Sequence, residues 1–168
     1  FEKISKALTI TRLLGCRYMV IHPLMPYSHD REPDREEFYR INFEFFNKLL
    51  DGCEKNDVII CLENMPMPAL SIASPQAVLD FVKEINCPYM GVCLDTGHCS
   101  VLKLSPGDAV RTIGKEYLKV LHIHDNMGER DQHLLPFKGI IDWEDFSKAL
   151  KEIGFDGCLS VEAAPQSA

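Results

Sequence analysis

Met90-Gly-Val-Cys-Leu-Asp95, followed at once by Thr96-Gly-His98, is the stretch on which the reading of this chain turns. It is apolar from end to end until it stops at an acid. A continuous apolar run, as opposed to an alternating one, marks a strand covered on both faces, and that is the habit of parallel sheets. Four more stretches repeat the form: Tyr18–His22 (YMVIH), Val58–Glu63 (VIICLE), Lys119–His124 (KVLHIH) and Cys158–Glu162 (CLSVE). Each ends in a histidine or a carboxylate.

The segments between these runs have the spacing and punctuation of helices. Residues 2–14 read as a helix feeding the first strand. Asp34 with Glu37 forms a capping-box pattern ahead of Phe38, Ile41, Phe45 and Leu49. Ser74-Pro75 and Ser105-Pro106 each place a capping hydroxyl before a proline at the first helical position, where its missing N–H costs little. Asp142 opens a helix bearing Phe146, Leu150 and Ile153, and Gly154 ends it. Strand and helix alternate throughout, so the fold class is α/β. Five strands are too few to close a (β/α)8 barrel, which typically needs ~250 residues. Either the sheet is open or roughly three N-terminal βα units are absent; the polar strand ends favour the second, a partial TIM barrel with residues 1–168 forming a single domain of the last five βα units.

Composition narrows the function. The formal charge of −7 argues against a nucleic-acid partner, which usually wants a basic face. No apolar run approaches the ~18 residues of a membrane span. The chain opens on Phe1 with no signal-peptide pattern, and its seven cysteines show no CxxC pair or disulfide spacing. They are expected to be small buried hydrophobes in a reducing, cytoplasmic setting.

In a parallel barrel the C-terminal strand ends converge on one face, where active sites lie. Here those ends are His22, Glu63, Asp95, His122 with His124, and Glu162. A lone polar residue at a strand end is most often a satisfied polar group; five in series point to a site. Carboxylate and imidazole donors suit a divalent metal such as Zn²⁺, Mn²⁺ or Co²⁺, with Mg²⁺ also admissible, and not a soft thiolate centre. His98 lies just past one strand end, and Asp131-Gln-His133 pairs acid and imidazole again after the fourth strand. His29 and His124 carry less weight, because His122 and His124 alternate across their strand and at most one of them faces the metal directly.

Taken in order, LEN (62–64), CLDTGH (93–98), HIHDN (122–126), DQHLLPFKGIIDW (131–143) and SVEA (160–163) resemble the xylose-isomerase-like TIM-barrel superfamily, over essentially the whole chain. That superfamily holds sugar and sugar-phosphate isomerases and epimerases as well as endonuclease IV. The resemblance implies that Glu63, Asp95, His122 and Glu162 hold one divalent cation, and that His98 contacts substrate oxygens. It further implies proton transfer beside a sugar carbonyl through an enediolate, with Glu63 and Glu162 as the two bases. His22, His98, Asp131 and His133 also match further zinc ligands of the endonuclease, which keeps a phosphodiesterase acting on abasic DNA as the alternative. Against it stand the acidic balance and the apolar loops Pro23–Tyr27 and Asn64–Pro68, neither suited to grasping phosphate. A silent binding barrel ranks lowest, since all four principal ligands are retained. Phe137-Lys138-Gly139 departs from the superfamily's frequent Gly-Glu-Gly, and Arg130 and Lys138 read as exposed surface charge. The expected partner is a small sugar or sugar phosphate, with no nucleic acid and no membrane. Unpaired strand edges make a homo-oligomer possible.

Overall fold

The computed structural model describes residues 1–25 and 34–163. The elements run α1 (Glu2–Leu13), β1 (Tyr18–Ile21), α2 (Arg35–Asn56), β2 (Ile59–Glu63), α3 (Pro75–Ile85) and β3 (Met90–Asp95). They continue with α4 (Thr96–Val101), α5 (Pro106–Tyr117), β4 (Leu118–Ile123), α6 (Trp143–Ile153) and β5 (Cys158–Val161). Five parallel strands lie in the order β1-β2-β3-β4-β5. The result is a half-barrel of the TIM-barrel type, the partial barrel expected.

The helices start where their capping chemistry says they should. The Asp34 carboxylate accepts from the Glu36 and Glu37 amides, Ser74 from the Ala77 amide, Ser105 from the Asp108 amide and Asp142 from the Asp145 amide. Each cap satisfies an amide that would otherwise lack an intrahelical partner. Gly154 ends α6 in the left-handed region (φ 63°), as its position in the sequence suggests. The short α4 was not foreseen. Asp95 caps it, its Oδ1 accepting the His98 amide at 2.7 Å.

Strand register sets two polar ends opposite each other and staggers the other two by two residues. Glu63 pairs with Cys93, Asp95 with His122 and His122 with Ser160. Side chains then alternate between two faces. Outward, Ile60, Leu62, Val92, Leu94 and Leu121 pack beneath the helices with Phe46, Phe81, Val110 and Phe146. Phe81 of α3 sits edge-on to Tyr39, Phe43 and Phe46 of α2 and locks the two helices together. Inward, Ile59, Cys61, Cys93 and Val120 form a second apolar layer. Cys61, Cys93 and Val120 each stand two residues before Glu63, Asp95 and His122, so this layer is the floor beneath the polar ends.

Burial on both faces holds for β2 and β3, every residue of which is buried. It does not hold for β5, where Cys158, Leu159 and Val161 are exposed. β5 pairs only with β4, and among the described residues no helix follows to cover it. The cysteine expectation is corrected in the same place: Cys53, Cys61, Cys93 and Cys99 are buried, but Cys16 and Cys158 are exposed, and all seven are free thiols. No helix among the described residues is long and apolar enough to cross a membrane. His29 lies outside the described residues, as do Pro26 and Tyr27 of the loop after His22.

Candidate metal centre

Four strands deliver four side chains to one point. Glu63 and Asp95 are the last residues of β2 and β3, His122 is next to last in β4, and Glu162 follows β5 directly. One donor atom from each lies within 4.8 Å of all the others. His122 Nδ1 is 3.1 Å from Glu63 Oε1 and 3.3 Å from Glu162 Oε1. Glu63 Oε2 approaches His22 Nε2 at 3.2 Å. Yet Glu63 Oε2 and His122 Nδ1 are buried without a properly aligned hydrogen bond. Close contact without alignment is what donor atoms show when they converge on a common cation. Ligands ~2.0–2.1 Å from a tetrahedral zinc lie about 3.3–3.4 Å from one another; the two His122 contacts come near that spacing, and the four donor atoms as a set lie within 4.8 Å.

Electrostatics keeps the centre anionic. Burial pushes the Glu63 carboxyl up, but the facing imidazoles of His122 and His22 outweigh it and hold the group at about 2. Burial pulls His122 down, and Glu63 and Glu162 reverse this and raise it. Cys93, on the floor, has a thiol driven up chiefly by burial, so it stays protonated beside the oxygen and nitrogen donors.

A second cluster adjoins the first. His98 in α4 has Nδ1 2.7 Å from the Asn64 carbonyl, and His133 has Nδ1 2.6 Å from the Glu162 carbonyl. Carbonyls only accept, so both Nδ1 atoms donate and both Nε2 atoms are left as acceptors. Those Nε2 atoms lie 3.3 and 3.2 Å from the same oxygen, Asp131 Oδ2. Two lone pairs facing a carboxylate require either a proton or a cation between them. In the absence of a cation, burial lowers the His98 imidazole while Asp131 and Asp95 outweigh it and raise it to about 9. Asp131, though pushed up by burial, is held below the ordinary carboxylate range by His98 and its neighbouring imidazoles.

The loop that supplies Asp131 and His133 is anchored on Asp125. Its Oδ2 accepts the Trp143 indole N–H at 2.8 Å, its Oδ1 accepts the Asn126 amide, and its backbone bridges to Leu134. Gly139 lies so close beneath that a Cβ there would stand 2.2 Å from the Asn126 carbonyl oxygen. These ties fold the loop back over the strand ends. Asp131 and His133 are thereby brought beside His98 and His124. His124, discounted in the sequence, is fully buried with Nε2 3.0 Å from both Asp95 oxygens and 3.5 Å from Asp131 Oδ1. Asn64 was quoted only as part of a motif. It ties β2 to β3, its Oδ1 accepting the Asp95 amide at 2.7 Å and its amide donating to the Asp95 carbonyl. Arg130 and Lys138 are exposed and lie in neither cluster.

The family model described as the xylose isomerase-like TIM barrel matches residues 1–168. This chain belongs to that family. Among curated members, a D-psicose 3-epimerase of Ruminiclostridium cellulolyticum is 29% identical over 143 residues, covering 84% of this chain and 47% of that protein. An inosose isomerase of Bacillus velezensis is 28% identical over 158 residues, covering 90% of this chain and 55% of that protein. Among solved structures, a D-tagatose 3-epimerase-like protein superposes with a TM-score of 0.86 at 28% identity, covering 96% of this chain and 61% of that one. An IolI protein, whose structure was solved with a bound zinc atom, shares the fold at a TM-score of 0.82 and 24% identity, over 96% of this chain and 59% of that one. The chain thus spans about half the length of the curated relatives it matches.

Proposed function

We propose that this xylose isomerase-like barrel is a metal-dependent sugar or sugar-phosphate isomerase or epimerase, with the cation held by Glu63, Asp95, His122 and Glu162. The observation that carries this reading is the convergence of those four side chains, with buried donor atoms left unaligned toward one another. The oxygen and nitrogen donor set fits Zn²⁺ or Mn²⁺, and admits Co²⁺ or Mg²⁺. Such an ion supplies Lewis-acid polarisation of a carbonyl and its neighbouring hydroxyl. The names of the epimerase and isomerase relatives support a small sugar as substrate.

The chain's own residues do the proton work. Glu63 on β2 and Glu162 after β5 are separated by two intervening strands, so they reach a bound sugar from different sides. Glu63 is ionised, so its carboxylate is free of a proton and can accept one. For epimerisation one carboxylate removes the proton beside the carbonyl and the other returns a proton to the opposite face. For isomerisation one of them suffices, moving the proton between adjacent carbons. His98, its Nδ1 held by the Asn64 carbonyl, would donate to a substrate oxygen through its protonated Nε2, the nitrogen that faces Asp131. The reading extends to residues 1–168 as one domain, and the seven free thiols support a reducing, cytoplasmic setting.

A second reading rests on the second cluster. His98, Asp131 and His133, with His22 beside Glu63, are the residues that an endonuclease IV-like zinc phosphodiesterase would use for additional ions. The chain's net charge of −7 weighs against DNA as substrate. One experiment separates the two. The protein at its full natural length is incubated with ketoses and aldoses in deuterated water, and in parallel with abasic DNA. Deuterium entering the carbon beside the carbonyl, lost on Glu63→Gln and Glu162→Gln, supports the isomerase. Absence of exchange with nicking of DNA replaces it with the nuclease.

A further inference from the structure

His124 occupies an expensive position. Its ring is fully buried, and its Nδ1 has no hydrogen-bond partner. A phenyl ring would fill the same space without stranding a polar atom, so the packing alone gives no reason for an imidazole. The other nitrogen supplies the reason. Nε2 lies 3.0 Å from both oxygens of Asp95, a side chain with no exposure to solvent.

The surroundings are built around this ring. The Thr96 hydroxyl accepts the His124 amide at 3.1 Å and donates to the His124 carbonyl at 2.8 Å, pinning that backbone to the start of α4. Gly97 leaves the space the ring occupies: a Cβ there would stand 1.9 Å from His124 Cε1. On another side His133 stacks on the ring, with centroids 4.0 Å apart and planes 14° apart. Backbone, a missing side chain and a stacked imidazole together fix one orientation, and that orientation presents Nε2 to Asp95.

We infer that His124 is a positioning residue that holds the Asp95 carboxylate in the geometry needed to bind a divalent cation with Glu63, His122 and Glu162. The inference rests on the proposed metal centre and adds the group that orients one of its members. The backbone amide of His98 holds Asp95 Oδ1 from the other direction at 2.7 Å, so with both donors in place the carboxylate cannot turn freely. Outer partners of this kind typically govern metal affinity by ~10–100-fold.

The test is zinc titration against a competing chelator, with thermal unfolding of the metal-free protein measured alongside. His124→Phe keeps the ring and removes the donor. It is expected to unfold below the wild-type temperature, because the buried Asp95 carboxylate loses a donor, while zinc affinity, measured where the variant is folded, falls about 10–100-fold with unchanged stoichiometry. His124→Gln restores an N–H within reach of Asp95 and is expected to recover part of the affinity. Gly97→Ala displaces the ring without touching any proposed ligand, and its zinc affinity should fall too, which keeps the inference testable if His124→Phe does not fold. Unchanged affinity in His124→Phe overturns the positioning role, and so does a Gln variant no better than Phe. Loss of one zinc equivalent in His124→Phe would make His124 a ligand, which also overturns it. A wild-type protein that takes up no zinc sinks the metal centre itself. Zinc binding that is indifferent to His124 sinks only the inference drawn here.

Discussion

The two polar clusters share one end of the sheet but are held by different means. Glu63, Asp95, His122 and Glu162 stand on or next to strands, and ladder register sets Asp95 opposite His122 with Glu63 and Glu162 staggered by two residues on either side. His98 comes from a six-residue helix, and Asp131 and His133 from a loop whose shape depends on Asp125 and on two left-handed non-glycine residues, His133 (φ 50°) and Phe137 (φ 69°). The first cluster is a product of regular structure. The second costs backbone strain, and strain of this kind clusters at functional sites. Under the proposed function, the strand-borne group would hold the cation and the bases, and the loop-borne group would shape what approaches them.

The largest expected effect tests that division directly. Glu63→Gln and Glu162→Gln should slow solvent exchange into the sugar by ~10²–10⁴-fold, the scale of general acid–base catalysis. Asp131→Asn should cost no more than about 10-fold in the same assay. Equal losses would merge the clusters into one catalytic unit and erase the comparison.

Next in size is metal affinity measured by chelator competition. Asp95→Ala should weaken zinc binding beyond the ~10–100-fold typical of outer partners, while His133→Ala leaves the tightest site intact. The reverse ranking would place the tight ion among the loop residues. Smaller again is the thermal effect. Zinc at about 100 times its dissociation constant should add ~2.7 kcal/mol, raising the unfolding temperature by roughly 5–10 °C at this chain length. Glu162→Ala should abolish that increment, and a retained increment would remove Glu162 from the set.

The smallest effect concerns the loop's strain. Phe137 is exposed and left-handed, so Phe137→Gly should be more stable than Phe137→Ala by ~1–2 kcal/mol. Both variants lose the ring that sits 5.8 Å from Trp143, so the difference isolates the backbone. Equal stabilities in chemical denaturation would show that the loop carries no such cost.

How much of this was legible in the sequence follows from the same contrast. Strand periodicity and parallel pairing are local rules, so unbroken apolar runs ending in Glu63 and Asp95 announced both the sheet and the face on which polar groups gather. Serine–proline and aspartate caps located α2, α3, α5 and α6 to within a residue or two. The short α4 escaped because Asp95 was read only for its charge and not as a cap. His124 escaped for a different reason: its place depends on the space left by Gly97 and on a loop returning from the far side, neither of which spacing encodes. Uniform burial of the strands failed at β5 because apolar character shows what a strand tolerates, whereas its neighbours decide what covers it.

Asp95 both caps α4 and faces the candidate cation, and this gives the molecule a spectroscopic handle. The His98 amide proton points at Asp95 Oδ1 over 2.7 Å. Any cation that draws electron density from that carboxylate must loosen the amide's hydrogen bond, and any rotation of the carboxylate must break it. The resonance of this one proton, and its rate of exchange with solvent, will therefore register occupancy of the centre in solution without a label, a substrate or a catalytic assay.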